Sequence, residues 1–202
     1  MKYFISDLHF GHHKMVTFPG RTSFTLEQWE KMYLDIINSK LTKDDFLYLL
    51  GDFAFKPEKV KHKIKNKNVV LIHGNHDPSY EKCVRVFGKS NFFITKDIKI
   101  KDKNVFLSHY PHLAWPASHH GTFHLYGHVH DQRSEYWQQI PELSEMRSMD
   151  VSPESYFRQY SEFGIFSEEQ VYETLSKLKG HDNVEWYNKR NGKYEKKGAN
   201  SM

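Results

Sequence analysis

Val69-Val-Leu-Ile-His-Gly-Asn-His-Asp77 sets four apolar residues directly against a cluster of glycine, carboxamide, imidazole and carboxylate. An apolar run with no polar alternation reads as a strand buried on both faces. The polar cluster then falls where that strand ends. The same pairing recurs along the chain. Tyr3–Ser6 is followed by Asp7-Leu-His9, Phe46–Leu50 by Gly51-Asp52, Val105–Ser108 by His109, and Thr122–Tyr126 by Gly127-His-Val-His130. Amphipathic stretches lie between the strands. Thr25-Leu-Glu-Gln28 is a capping box that opens a helix, with Leu26, Trp29, Tyr33, Ile36 and Ile37 at helical spacing. Pro57 opens a Lys-rich helix to about Asn66, and a short helix covers residues 80–87. Residues 94–100 and 105–107 form a hairpin around Lys101–Asn104, and Arg147–Val151 reads as a further strand. Ser167-Glu-Glu-Gln170 caps a last helix that turns Val171, Leu175 and Leu178 inward and stops at Gly180. Strands mixed with both crossovers and hairpins give an α/β fold with one mixed sheet or a pair of sheets. We expect one domain over residues 1–180 and a polar C-terminal tail over 181–202.

Composition narrows the function classes. Aromatic residues make up 15% of the 202, enough core material to exclude wholesale disorder. No run approaches the roughly 18 apolar residues of a membrane span, and the first residues fit neither a signal peptide nor an anchor. The single cysteine, Cys83, cannot form an internal disulfide, which fits a reducing, cytoplasmic location. Charge is uneven: residues 1–130 carry +7 and residues 131–202 carry −3. A mildly basic chain permits an anionic partner without requiring one.

Fourteen histidines are many for this length, and their placement carries the chemistry. Asp7, His9, Asp52, Asn75, His109, His128 and His130 all follow strands, and strand ends are where α/β folds gather ligand groups. Imidazole and carboxylate together suit Mn, Zn, Fe or Ni, and the absence of thiolates argues against a structural zinc knuckle. Seven groups exceed one tetrahedral ion and fit two divalent transition ions, with Asp52 as the natural bridge. Gly51, Gly74 and Gly127 would let the backbone turn sharply and approach an ion closely. Two ions at +4 against Asp7 and Asp52 leave a positive site suited to phosphoryl oxygens.

Asp7-x-His9, Gly51-Asp52, Gly74-Asn-His-Asp77, His109 and Gly127-His-x-His130, in that order, resemble the calcineurin-like metallophosphoesterase superfamily. The start, Asp7-Leu-His-Phe-Gly-His12, is similar to the small single-domain bacterial and phage members. The resemblance covers residues 1–130 with all five motifs, and extends through Met149-Asp-Val151 to the last helix. It implies a sandwich of two mixed β-sheets flanked by helices, with two metal ions on the strand-end loops. One ion would be held by Asp7, His9, Asp52 and His130, the other by Asp52, Asn75, His109 and His128. A hydroxide bridging the ions would attack a phosphomonoester or phosphodiester, making the chain a phosphoric ester hydrolase. His76 would act catalytically beside the ions, stabilising phosphoryl oxygens or protonating the leaving group, with Asp77 orienting its loop. Lys14 stands where small members often carry Asn, so no substrate contact in that loop carries over.

Other residues have plainer readings beside the functional ones. His12 and Arg21 are candidate substrate contacts. The lysines of residues 56–67 and the basic, aromatic tail would suit nucleic acid as a partner, but a solvated helix face and a frayed terminus explain them as simply. A nuclease acting on DNA or RNA ends would share the same metal site. A catalytically silent scaffold would be expected to have lost ligands, and this chain keeps every one. The expected substrate is thus a phosphorylated small molecule or nucleotide. With Arg21 the only arginine before Arg85, no arginine cluster favours a monoester dianion over a diester.

Overall fold

The structure, a computed structural model, describes residues 1–18, 20–132 and 144–180; the tail expected over 181–202 lies outside them. The strands are β1 (Lys2–Ile5), β2 (Phe46–Leu50), β3 (Val69–Ile72), β4 (Phe92–Phe93), β5 (Thr95–Ile100), β6 (Lys103–Ser108), β7 (Phe123–Tyr126), β8 (Ser148–Asp150) and β9 (Phe166–Ser167). The helices are α1 (Leu26–Lys40), α2 (Pro57–Val60), α3 (Tyr80–Phe87), α4 (Pro153–Tyr160) and α5 (Glu168–Ser176). One sheet runs β4-β3-β2-β1-β9 and the other β5-β6-β7-β8. β1 to β4 are parallel and β9 is antiparallel to β1. In the second sheet β5 and β6 form the expected antiparallel hairpin, and β6, β7 and β8 are parallel. Both sheets are mixed.

The uninterrupted apolar runs follow from burial on two faces. Phe4, Tyr48, Leu50, Val70 and Ile72 point to the second sheet, where they meet Val105, Leu107, Phe123, Leu125 and Met149. The residues between them, Tyr3, Ile5, Leu47, Leu49, Val69 and Leu71, point to the outer face and pack with Trp29, Tyr33 and Ile37 of α1. Period-two alternation thus serves two apolar layers. Thr25 and Gln28 close the capping box of α1, and Ser167 and Gln170 close that of α5.

Two helix limits differ from expectation. The Lys-rich helix ends at Val60 and tightens into a 3-10 turn over Lys61–Lys63. Asn38 binds Lys63 O and Lys65 N, while Asn66 donates to Thr42 O and Asp45 O. These side-chain bonds hold the chain extended there and offset the lost helical ones. The last helix ends at Ser176, short of Gly180, whose N–H donates instead to Glu145 O at 2.8 Å. Among the described residues no helix is long and apolar enough to cross a membrane.

Candidate metal centre

The parallel strands of each sheet deliver their ends to one place. Asp7 N–H donates to Gly51 O at 3.0 Å, His9 N–H to Asp52 O at 2.8 Å, and Gly127 N–H to His109 O at 2.9 Å. These bonds stitch four of the strand-end loops together in pairs. Five predicted ligands hold left-handed backbone: Asp7 (φ 55°), His9 (51°), Asp52 (51°), His128 (73°) and His130 (47°). Asp and His tolerate this region better than most residues, yet five in one centre is a concentration of local strain.

The glycines serve the loops in a different way from that expected. Gly51 does turn at φ +87°, but its missing side chain makes room for His109, whose Nδ1 would be 2.3 Å from a Cβ. At Gly74 a Cβ would lie 2.3 Å from Asp52 N and Oδ1, and at Gly127 it would lie 2.4 Å from Asp7 Oδ2. Each glycine admits a ligand residue of a neighbouring loop.

Two overlapping groups converge there, Asp7 with His9 and His130, and Asp7 with Asp52 and His109; within each, the ligand atoms lie within 4.8 Å of one another. Asp52 Oδ2 stands 3.5 Å from Nε2 of both His9 and His109. Asp7 Oδ1 is 3.6 Å from His130 Nε2 and 3.8 Å from His9 Nε2. Asn75 Oδ1 lies 2.9 Å from His109 Nε2. His128 is at the exposed rim, its ring 5.1 Å from that of His109 and its N–H donating to Asp7 Oδ2.

The donor set fits divalent ions on its own chemistry. Asp7 Oδ1 and both ring nitrogens of His9 are buried without a hydrogen-bond partner. Each such atom costs about 1–3 kcal/mol if nothing meets it. Burial, with the charges of His130 and Arg21, pushes His9 down to about 2, so its imidazole is neutral and its lone pair available. His109 Nδ1 lies 2.9 Å from Leu50 O, a carbonyl that can only accept, so in the neutral imidazole the lone pair falls on Nε2, toward Asn75 Oδ1 and Asp52 Oδ2. Acceptors facing one another across a buried space are what a cation satisfies.

The remaining candidates separate into rim and support. His76 is exposed, its ring 5.1 Å from that of His9, and its N–H donates to Asp52 Oδ1 at 2.8 Å. His12 lines the same wall, 5.5 Å from His9 and 5.6 Å from His76, ring to ring. Asp77, in the motif of His76, is a positioning residue. Its Oδ2 accepts from Asp52 N and Gly74 N at 2.9 Å each, and its Oδ1 from Phe53 N at 2.9 Å and Ala54 N at 3.4 Å. Both oxygens are spent on backbone, and burial pushes the carboxyl up to about 6. Arg21 is likewise not a substrate contact. It is fully buried, lies over the Trp29 ring at 4.3 Å, and donates to Asp7 O and to both oxygens of Glu154.

Glu154 and Asp150 escaped the sequence reading. Glu154 Oε2 is 3.3 Å from His130 Nδ1, the orientation that turns Nε2 toward Asp7. Burial alone would lower His130, but the Asp7 and Glu154 carboxylates outweigh it and raise it. Asp150, at the end of β8, accepts from Asp131 N at 2.9 Å and Ser152 N at 2.6 Å, and so braces the loop after His130 as Asp77 braces that after Asp52. Its place as the last residue of a strand was the available signal. Glu154 had none, since Ser152-Pro-Glu reads only as a helix start.

No family model matches the chain, and neither does any curated protein. Among solved structures, a protein of unknown function from Aquifex aeolicus, AQ665, is similar over 86% of this chain and 98% of its own, with 22% identity and a TM-score of 0.64. Yfce, a phosphoesterase from E. coli, covers 64% of this chain and 69% of its own at 19% identity and a TM-score of 0.41. A predicted phosphoesterase from Streptococcus pneumoniae covers 64% and 62% at 14% identity and a TM-score of 0.36. AQ665 shares the fold across nearly its whole length. In this chain that fold gathers the candidate ligands at the strand ends of two mixed sheets.

Proposed function

We propose that the chain is a phosphoesterase that uses two divalent transition ions, Mn²⁺ foremost, to hydrolyse a phosphodiester or phosphomonoester. The observation that carries this reading is the set of buried, unpartnered acceptors on Asp7 and His9 within two overlapping ligand groups. Asp7, His9, Asp52 and His130 would hold one ion; Asp52, Asn75, His109 and His128 would hold the other. When bound, the ions supply positive charge opposite phosphoryl oxygens and acidify water. His76, exposed beside His9, would hold or pass a proton at the leaving-group oxygen. Asp77 fixes the Asp52 and Gly74 backbones, so the two loops keep their spacing as substrate enters.

Metal analysis tests this directly. The purified protein is expected to bind two equivalents of Mn²⁺, to lose turnover and unfold earlier after chelation, and to regain both with Mn²⁺. Mg²⁺ should restore little, because a histidine-rich site disfavours so hard an ion. Asp52→Asn should weaken both ions together. Full activity after dialysis against excess chelator excludes the reading.

His76→Gln separates binding from chemistry. It should keep both ions while kcat falls by ~10²-fold or more, the range for losing an acid–base or charge-stabilising group. Loss of an ion in that variant would make His76 a structural group.

A further inference from the structure

Six aromatic side chains among the described residues are more than one-third exposed: Phe46, Phe55, Tyr80, Tyr110, Phe157 and Tyr160. Four of them lie against other aromatic rings, on Tyr48, Phe92, Phe163 and Tyr156 respectively. The other two lie against histidines of the candidate centre. Phe55, 39% exposed, has its ring 4.5 Å from that of His12 and 6.2 Å from that of His76. Tyr110, 47% exposed, has its ring 4.5 Å from that of His128 and 5.1 Å from that of His109.

The two rings sit on different arms of the centre. His9 joins His12 and His76 on one arm, His109 joins His128 on the other, and Asp52 Oδ2 stands 3.5 Å from both His9 and His109. A lone exposed aromatic residue needs no explanation. A ring on each arm, held against imidazoles and open to solvent, is a surface on which a flat group can stack beside a phosphoryl group. Lys56 follows Phe55 directly and Lys14 lies two residues beyond His12; both are exposed. Exposed cations on the segments that carry Phe55 and His12 favour a flat group that carries further phosphate over a neutral aryl or lipid group.

We propose that Phe55 and Tyr110 are stacking platforms flanking the candidate metal centre, and that the substrate is of nucleotide class, a phosphate ester whose alcohol bears a planar base. The proposal rests on the phosphoesterase reading. Phe55 lies on the His76 side, so the leaving group's base stacks there. Tyr110 takes the base on the other arm of a diester.

Binding to the Mn²⁺-loaded protein tests this with 5′-adenosine monophosphate and ribose 5-phosphate, which differ by the base alone. Isothermal titration gives both Kd values, and phosphorus NMR confirms that each probe is intact. The nucleotide should bind roughly 5- to 150-fold more tightly, the span of one base stacked on an aromatic ring. In Phe55→Leu combined with Tyr110→Leu that ratio should fall toward one. Equal affinity of the two probes for the parent protein, or an unchanged ratio in the variant, overturns the platforms. If neither probe binds while two Mn²⁺ ions do, the phosphoesterase reading falls as well, so the two failures are distinguishable.

Discussion

Gly74→Ala is expected to destabilise the protein by about 3 kcal/mol or more and to lower affinity for divalent ions at least tenfold. The added methyl would lie 2.3 Å from Asp52 N and Oδ1 and 2.9 Å from Gly51 C. Two of those neighbours are backbone atoms, in loops already bonded to Asp7 and Asp77. Overpacking against atoms that cannot swing away typically costs 1–3 kcal/mol, and here relief requires moving a candidate ligand. Gly20→Ala is the comparison. Gly20 also has a positive φ, +83°, but nothing lies within 4 Å of its Cβ position. It should lose about 1 kcal/mol through the backbone alone and keep its metal content. Thermal denaturation and metal analysis of both variants decide the matter. Equal metal content in the two would show that the loops yield without disturbing Asp52.

Glu154→Ala is expected to cost about 3–5 kcal/mol, because it leaves the fully buried guanidinium of Arg21 without its carboxylate. It should also weaken the ion held through His130 by about 10- to 100-fold, the usual consequence of removing the partner that orients a ligating imidazole. The two effects separate in Arg21→Met combined with Glu154→Leu. Replacing a buried pair by apolar residues of similar volume is close to neutral, so stability should largely return. Metal affinity should not, since His130 Nδ1 would still face no acceptor. A double variant that binds both ions as the parent does would reduce Glu154 to a charge partner of Arg21.

The convergence of the candidate ligands was legible because strand and candidate ligand are adjacent in sequence. An apolar run buried on two faces and the polar residue that ends it appear as one word, as in Leu50-Gly51-Asp52. Capping boxes are equally local, so Thr25 and Ser167 mark their helix starts. What could not be read is set by tertiary pairing. β4 and β9 are two residues each and exist through their bonds to β3 and β1. The Lys-rich helix is cut short by Asn38, which lies 25 residues before the carbonyl it binds. Glu154 reaches His130 only because β8 returns beside β7 and leads into α4. Arg21 was placed near the right atoms with the wrong task. Motif spacing tells which loop a residue belongs to, while the direction of its side chain depends on which neighbouring N–H or carboxylate claims it.

The left-handed backbones at Asp7, His9, Asp52, His128 and His130 have a consequence for laboratory evolution. Glycine adopts that conformation freely, whereas an L side chain costs roughly 1–2 kcal/mol there, somewhat less for Asp. A selection for heat resistance alone, with no demand for turnover, would drift toward glycine at these five positions. The heat-resistant clones it returned would be the ones emptied of their chemistry, and a screen for this protein must therefore score function in every round.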